Sequence, residues 1–96
     1  MRSVEFTIAA THPSLPGHFP DNPVVPGVVV LEHVIAAVES AGCGRVIAIQ
    51  RCKFIRSVLP GQACSIDWAL SADRVRFVCS QAGNLRLQGM FKVTDG

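Results

Sequence analysis

Apolar and polar residues alternate at the start of the chain: Val4, Phe6 and Ile8 are interleaved with Glu5, Thr7 and Ala9, the period of a half-buried strand. The alternation then stops. From Thr11 to Pro26 five prolines (Pro13, Pro16, Pro20, Pro23, Pro26) accompany Gly17, so this stretch can be neither helix nor sheet interior. It is predicted to be an ordered loop with several fixed φ angles. Pro26 suits the first turn of a helix, where a missing amide hydrogen costs nothing. Beyond it, apolar residues recur in two stripes, Val28, Leu31, Ile35, Val38 and Val30, Val34, Ala37, Ala41. Together the stripes wrap most of the helix, which predicts a buried one. It should end near Ala41-Gly42, with Gly42 as the C-cap residue. Its polar exceptions are Glu32, His33, Glu39 and Ser40.

After Gly44 the period returns to two. Arg45 to Arg56 reads as a long Val- and Ile-rich strand, and Pro60-Gly61 marks a turn. Cys64, Ile66, Trp68 and Leu70 then alternate with Ser65, Asp67 and Ala69. Val75, Phe77 and Cys79 oppose Arg74 and Arg76. After the turn Gln81-Ala82-Gly83-Asn84, Leu85, Leu87, Phe91 and Val93 oppose Arg86, Gln88 and Lys92. The predicted order is strand, long loop, buried helix, then four strands in antiparallel succession. About five strands can bury such a helix only by curling around it, which gives an α+β architecture with a wrapped central helix.

Length and composition narrow this picture. The 96 residues make one domain, 49% of them apolar, so a folded core requires efficient burial. A chain this small and apolar is expected to complete its core or its site by pairing with a second subunit. A net charge of +2, without zinc-finger spacing or interleaved aromatic and basic residues, argues against nucleic acid. The longest apolar run, Val24 to Leu31, is broken by Pro26 and Gly27 and is far shorter than the roughly 20 residues that span a bilayer. The N-terminus has no apolar signal core, and a soluble cytoplasmic protein is expected. Cys43, Cys52, Cys64 and Cys79 stand singly, with no Cys-x-x-Cys pair and no metal-ligand spacing. They are expected to be small buried hydrophobes, with no metal site.

Candidate chemistry gathers in the stretch from His18 to Glu32. A His on a stiff loop can be a hydrogen-bonded structural residue or a titratable imidazole held still for catalysis. Glu32 lies on an otherwise apolar helix, where an ionised carboxylate must find a partner or take up a proton, and a protonated Glu32 could donate one. Between them, Pro26-Gly27-Val28 places backbone amides at the positive end of a helix, with no Ser, Thr, Asp or Asn immediately before Pro26 to cap them. Pro-Gly is also an ordinary turn into a helix. Taken together, a base, an acid and an amide donor are what β-elimination of water from a 3-hydroxyacyl thioester requires. The amide stabilises enolate-like charge, His18 removes the α-proton and Glu32 protonates the departing hydroxyl.

His18-Phe19-Pro20, Pro23-Val24-Val25-Pro26-Gly27-Val28 and Leu31-Glu32 closely resemble the active-site motif of the 3-hydroxyacyl acyl-carrier-protein dehydratases of bacterial type II fatty-acid synthesis (FabZ and FabA types), including the fourteen-residue His to Glu spacing. A second block, Cys52 to Gln62, resembles that family's aromatic, basic, then Val-x-Pro-Gly segment. The likeness covers roughly residues 4 to 93. It implies a hot-dog fold, His18 as the catalytic imidazole, Glu32 as the catalytic carboxylate, and Gly27, with Val28 beside it, binding the substrate's thioester carbonyl. It further implies that the His of one subunit faces the carboxylate of the other across a dimer, and that no cofactor is needed. The substrate would ride on the phosphopantetheine arm of an acyl carrier protein. Asp21, Asn22, Ala36 and Ser57 depart from the family's usual residues, and the short form looks more like dedicated dehydratases of secondary pathways, such as aryl-polyene synthesis.

The acidic carrier would be steered by basic residues near the tunnel mouth, for which Arg51, Lys53 and Arg56 are the candidates, although charges in a strand are also simply its solvated face. Two other functions stay open. One is a non-catalytic or half-catalytic subunit that pairs with another hot-dog chain, which Ala36 and Asp21-Asn22 favour. The other is an acyl thioesterase using Glu32 as nucleophile or base, against which the His18 motif argues. The expected dimer is either a homodimer or a heterodimer with another hot-dog subunit.

Overall fold

A computed structural model describes residues 2–9 and 25–94 of the chain. The elements run β1 (Arg2–Thr7), α1 (Gly27–Ser40), β2 (Arg45–Phe54), β3 (Ala63–Ser71), β4 (Arg74–Gln81) and β5 (Asn84–Thr94). The expected proline-rich loop falls mostly at positions 10–24, outside the described residues.

One antiparallel sheet of five strands carries the fold, in the order β1-β3-β4-β5-β2. Strands β3, β4 and β5 form a meander because their connections are tight. Gln81 pairs with Asn84 across the two-residue turn Ala82-Gly83, both at positive φ (53° and 78°), the turn geometry that matches strand twist. The simple succession expected for the last four strands is not observed: β2 pairs with β5 rather than with its chain neighbour β3. The segment 55–62 between them crosses the end of the sheet instead. On the way, Val58 O accepts from the Val25 amide at 2.9 Å and the Gly61 amide donates to Ile8 O at 2.7 Å, tying the crossover to the helix start and to the end of β1. A buried glutamine holds the same crossover. Gln81 Oε1 accepts from the Leu59 amide at 2.9 Å, and its Nε2 donates to Leu59 O at 2.8 Å and Gln62 O at 3.2 Å.

The inner face of the sheet is built by the alternation read from the sequence. Cys64, Ile66 and Trp68 on β3, Val75, Phe77 and Cys79 on β4, and Leu87, Phe91 and Val93 on β5 are all buried, and Phe77 stacks on Phe91 with ring centroids 4.6 Å apart. Helix α1 covers this face with Val29, Val30, Val34 and Val38. The helix ends one residue earlier than expected: Ala41 is the cap, and Gly42 follows it in the left-handed region (φ 82°) with its amide on Glu39 O at 3.1 Å.

The helix is not buried all round. Val28 is 62% exposed, and Glu32 and Ala36, four and eight residues on, continue its stripe in the open. Strand β2 is open as well, ending at Phe54 rather than Arg56, with Ile47, Ile49 and Phe54 about half exposed. Two register shifts against β5 leave Ile47 and Gln50 as extra residues in β2, which bend an outer strand with no further strand beside it.

Candidate active site

The site begins where the chain enters α1. Pro26 is the N-cap, no side chain among the described residues caps the helix, and the Val29 amide turns back to Pro26 O at 3.0 Å. Gly27 and Val28 are therefore the outermost amides of the helix, with no bond to a described backbone acceptor. They border a cleft of about 600 Å3 lined by Val25, Val30, Phe54, Arg56, Ser57 and Leu87 among others. The ring of Phe54 lies over Gly27 so closely that a Cβ there would sit 2.5 Å from Phe54 Cε1. A side chain at position 27 would therefore have to push the tip of the Phe54 ring aside.

Glu32 is one helical turn beyond Val28, a rise of about 6 Å, on the same exposed stripe. Its carboxylate does not lie in the apolar burial that the helix pattern implied, because the described chain leaves this face of the helix uncovered. The neighbouring His33 is engaged elsewhere: its Nδ1 lies 2.9 Å from Val29 O and its ring stacks on Phe6 at 4.8 Å. His18, Asp21 and Asn22 fall outside the described residues.

The three basic candidates do not form one surface. Arg56 borders the Gly27 cleft, whereas Arg51 and Lys53 pair with Met90 and Gln88 on the opposite, outer face of the sheet. Strand alternation accounts for the split, since Phe54, next to Lys53, is the residue that points to the helix side. The cysteines behave as packing residues. Cys43, Cys64 and Cys79 are buried and Cys52 is half-buried. A hydrogen bond from Cys79 holds the Cys64 thiol below its usual range and pushes Cys79 up, but both are fully enclosed by the sheet. Among the described residues no group of three potential ligands could hold a metal, and no helix is long and apolar enough to cross a membrane.

Two residues of structural weight were not singled out by the sequence reading. Gln81 continues the inward register of Val75, Phe77 and Cys79, so a polar side chain at a core position was the available signal. Phe54 had one too, as the aromatic that opens the second motif block.

A five-stranded antiparallel sheet with one helix across its inner face and a cleft at the helix N-terminus defines a hot-dog protein, and the solved structures agree. An uncharacterised protein from Erwinia carotovora subsp. atroseptica superposes with a TM-score of 0.81 at 22% identity, over 96% of this chain and 81% of that one. The dehydratase heterocomplex ApeI:P from Xenorhabdus doucetiae gives 0.75 at 23% identity, over 94% of this chain and 83% of that chain. Residues 2–89 match the family described as ApeI-like, ApeI dehydratase, and the chain belongs to that family. It is also similar to the 3-hydroxyacyl acyl-carrier-protein dehydratases FabZ of Alkaliphilus metalliredigens (34% identity over 70% of this chain and 52% of the relative) and Caldanaerobacter subterraneus subsp. tengcongensis (30%, over 92% and 64%). The chain thus spans between about half and just under two thirds of the length of these curated relatives.

Proposed function

We propose that this protein dehydrates 3-hydroxyacyl thioesters carried on an acyl carrier protein to trans-2-enoyl thioesters. The observation that carries this reading is the cleft at the start of α1, bordered by Gly27 and Val28, with Glu32 one turn beyond Val28 on the same exposed stripe, in a chain of a dehydratase family. The thioester carbonyl would accept from the Gly27 amide at the positive helix end, so that charge building on the oxygen as the α-proton leaves is stabilised. His18 takes the α-proton and Glu32 gives one to the hydroxyl as the carbon–oxygen bond breaks, releasing water. No cofactor enters this chemistry, which would run in the cytoplasm.

In this reading the open face of the helix and the open edge of β2 are where a second hot-dog subunit completes the site, burying Glu32 and bringing it opposite an imidazole. The partner is either a second copy or a different hot-dog chain. The heterocomplex formed by the structurally similar Xenorhabdus protein favours keeping the second option, in which this chain contributes only part of the catalytic set.

The test is to follow enoyl absorbance and free thiol together on 3-hydroxyacyl and enoyl thioesters. Dehydration or hydration without thiol release is expected; thiol release would identify a thioesterase. His18→Ala and Glu32→Ala should each abolish turnover, and mixing them should restore a fraction of it if the site is shared between two copies. Absence of turnover alone, with activity appearing only on adding a second hot-dog chain, would assign the half-catalytic role.

A further inference from the structure

Helix α1 supplies one wall of the Gly27 cleft, and the crossover residues Ile55, Arg56, Ser57 and Val58 supply another. These four lie between β2 and β3, so their backbone groups must find partners outside the regular ladders. The partners come from one end of the β4–β5 hairpin. There the ladder slips: Cys79 pairs with Leu87 but Ser80 with Leu85, which leaves Arg86 as an extra residue in β5. A bulge of this kind re-aims a side chain and frees the backbone of the residue it adds. Plain alternation would leave Arg86 on the outer face with Gln88 and Lys92, whereas its guanidinium bonds the crossover. Arg86 Nη1 donates to Ser57 O at 3.0 Å, and Arg86 O accepts from the Ile55 amide at 2.8 Å and the Arg56 amide at 3.1 Å. Gln81, across the same hairpin end, holds the backbone of Leu59 and Gln62, and Arg86 Nη2 donates to Gln81 O at 3.4 Å. Val58 lies between the two sets of bonds, and its carbonyl accepts from the Val25 amide, just before Pro26 and Gly27.

We propose that Arg86 and Gln81 are positioning residues which, through Ser57, Val58 and Leu59, fix the start of α1, and with it the Gly27 amide, against the opposite wall of the cleft. The proposal rests on the dehydratase reading for what that amide does. Two local rules are broken in building the clamp. Arg86 Nε is buried with no partner among the described residues, and Gln81 fills a core position at 1% exposure. Violations of this kind concentrate at functional sites. Neither residue is among those lining the cleft, so neither acts on substrate directly. They act on where the donor to the carbonyl stands. An oxygen that gains charge only as the α-proton leaves is stabilised most by a donor already in place. A loosened clamp therefore slows the chemical step more than it weakens binding of the acyl chain.

The experiment compares Arg86→Met and Arg86→Lys with wild type, reading kcat and KM on 3-hydroxyacyl thioesters of N-acetylcysteamine and, without substrate, amide hydrogen exchange by NMR. Methionine keeps a flexible apolar stem and drops the donors. Val75→Ala, buried on β4 and paired with Leu70 and Phe91 well away from the crossover, lowers stability by another route and serves as the control. Positioning predicts that Arg86→Met lowers kcat at least about tenfold with KM within about threefold, that Arg86→Lys regains most of the loss through a bond to Ser57 O, and that Val75→Ala keeps the wild-type kcat below its melting temperature. In Arg86→Met the Val25 amide should exchange at least about tenfold faster, relative to the Phe77 amide in the middle of the sheet, than in wild type. Gln81→Met should shift both readouts in the same direction. An unchanged kcat in Arg86→Met, or a loss that Val75→Ala reproduces, overturns the proposal and leaves the dehydratase reading standing; so does an unaltered exchange ratio at Val25. Absence of turnover by wild type, alone and with its partner chain, overturns the dehydratase reading, and the clamp is then decided by exchange: faster at Val25 in Arg86→Met supports it, and unchanged overturns it.

Discussion

Strands β3, β4 and β5 are completed by the described residues of this chain, whereas strand β2 and the Val28 side of α1 are not. On the first side every inward residue from Val75 to Cys79 is buried, turns are two residues long, and even the polar Gln81 has its donors and acceptors matched by the crossover backbone. On the other side Ile47, Ile49, Phe54 and Val28 stay about half exposed or more, and the candidate catalytic Glu32 stands among them. Both sides carry large apolar residues. The difference is that one set of side chains finds its cover among the described residues and the other does not, which places the candidate chemistry at the unfinished surface.

The largest effect should come from opening the finished side. Phe77 is fully buried and stacks on Phe91, so Phe77→Ala should cost about 3–5 kcal/mol, read as a loss of unfolding free energy in denaturant titrations. A loss below about 1 kcal/mol would mean that the two sides are packed alike.

Two glycines offer a sharper contrast, since each would place a Cβ against a phenylalanine ring. At Gly89 the added Cβ would collide with the Arg51 carbonyl oxygen and lie 2.9 Å from the Phe77 ring, and neither the β2–β5 backbone nor the core ring can yield freely. Gly89→Ala should therefore cost about 1–3 kcal/mol. At Gly27 the obstacle is the tip of Phe54, 54% exposed and free to swing outward, while alanine favours the helix by up to about 1 kcal/mol. Gly27→Ala should leave stability nearly unchanged, yet it crowds the amide proposed to bind the carbonyl, and dehydration should fall about a hundredfold. Equal stability losses for the two glycines would dissolve the contrast.

The finished side was legible in the sequence and the unfinished side only partly so. Alternation over Cys64–Trp68, Val75–Cys79 and Leu87–Val93 reports a face that the same chain covers, and it places each residue correctly. The helix stripes report burial in whatever assembly the chain enters, and so gave Val28 the same weight as Val34. Nothing local distinguishes β3 from β5 as the partner of β2, because that choice depends on pairing at long range and on the crossover that Gln81, Val58 and Gly61 hold in place. The start of the helix at Pro26-Gly27 was legible, while the cleft beside it depends on where Phe54 and the crossover lie. The separation of Arg56 from Arg51 and Lys53 required knowing where β2 ends, a boundary that the continuous Val- and Ile-rich pattern conceals.

The smallest effect on the chain's own fold should come from a charge on the unfinished side. Ile49 faces inward opposite Phe91 but is 49% exposed. Ile49→Lys therefore removes little burial from the isolated chain, and a lysine stem can lie along the same apolar surface with its ammonium in water, so the unfolding free energy measured at high dilution should change by less than about 1 kcal/mol. Association is another matter. An outer strand that carries an inward-directed charge is a known barrier to edge pairing, so sedimentation should show the variant as a monomer at concentrations where the wild type, alone or with its partner chain, is dimeric. A variant that unfolds when dilute would show that β2 belongs to the finished side after all. One that stays folded and still dimerises would move the interface away from β2 and leave Glu32 to be covered from the helix side alone.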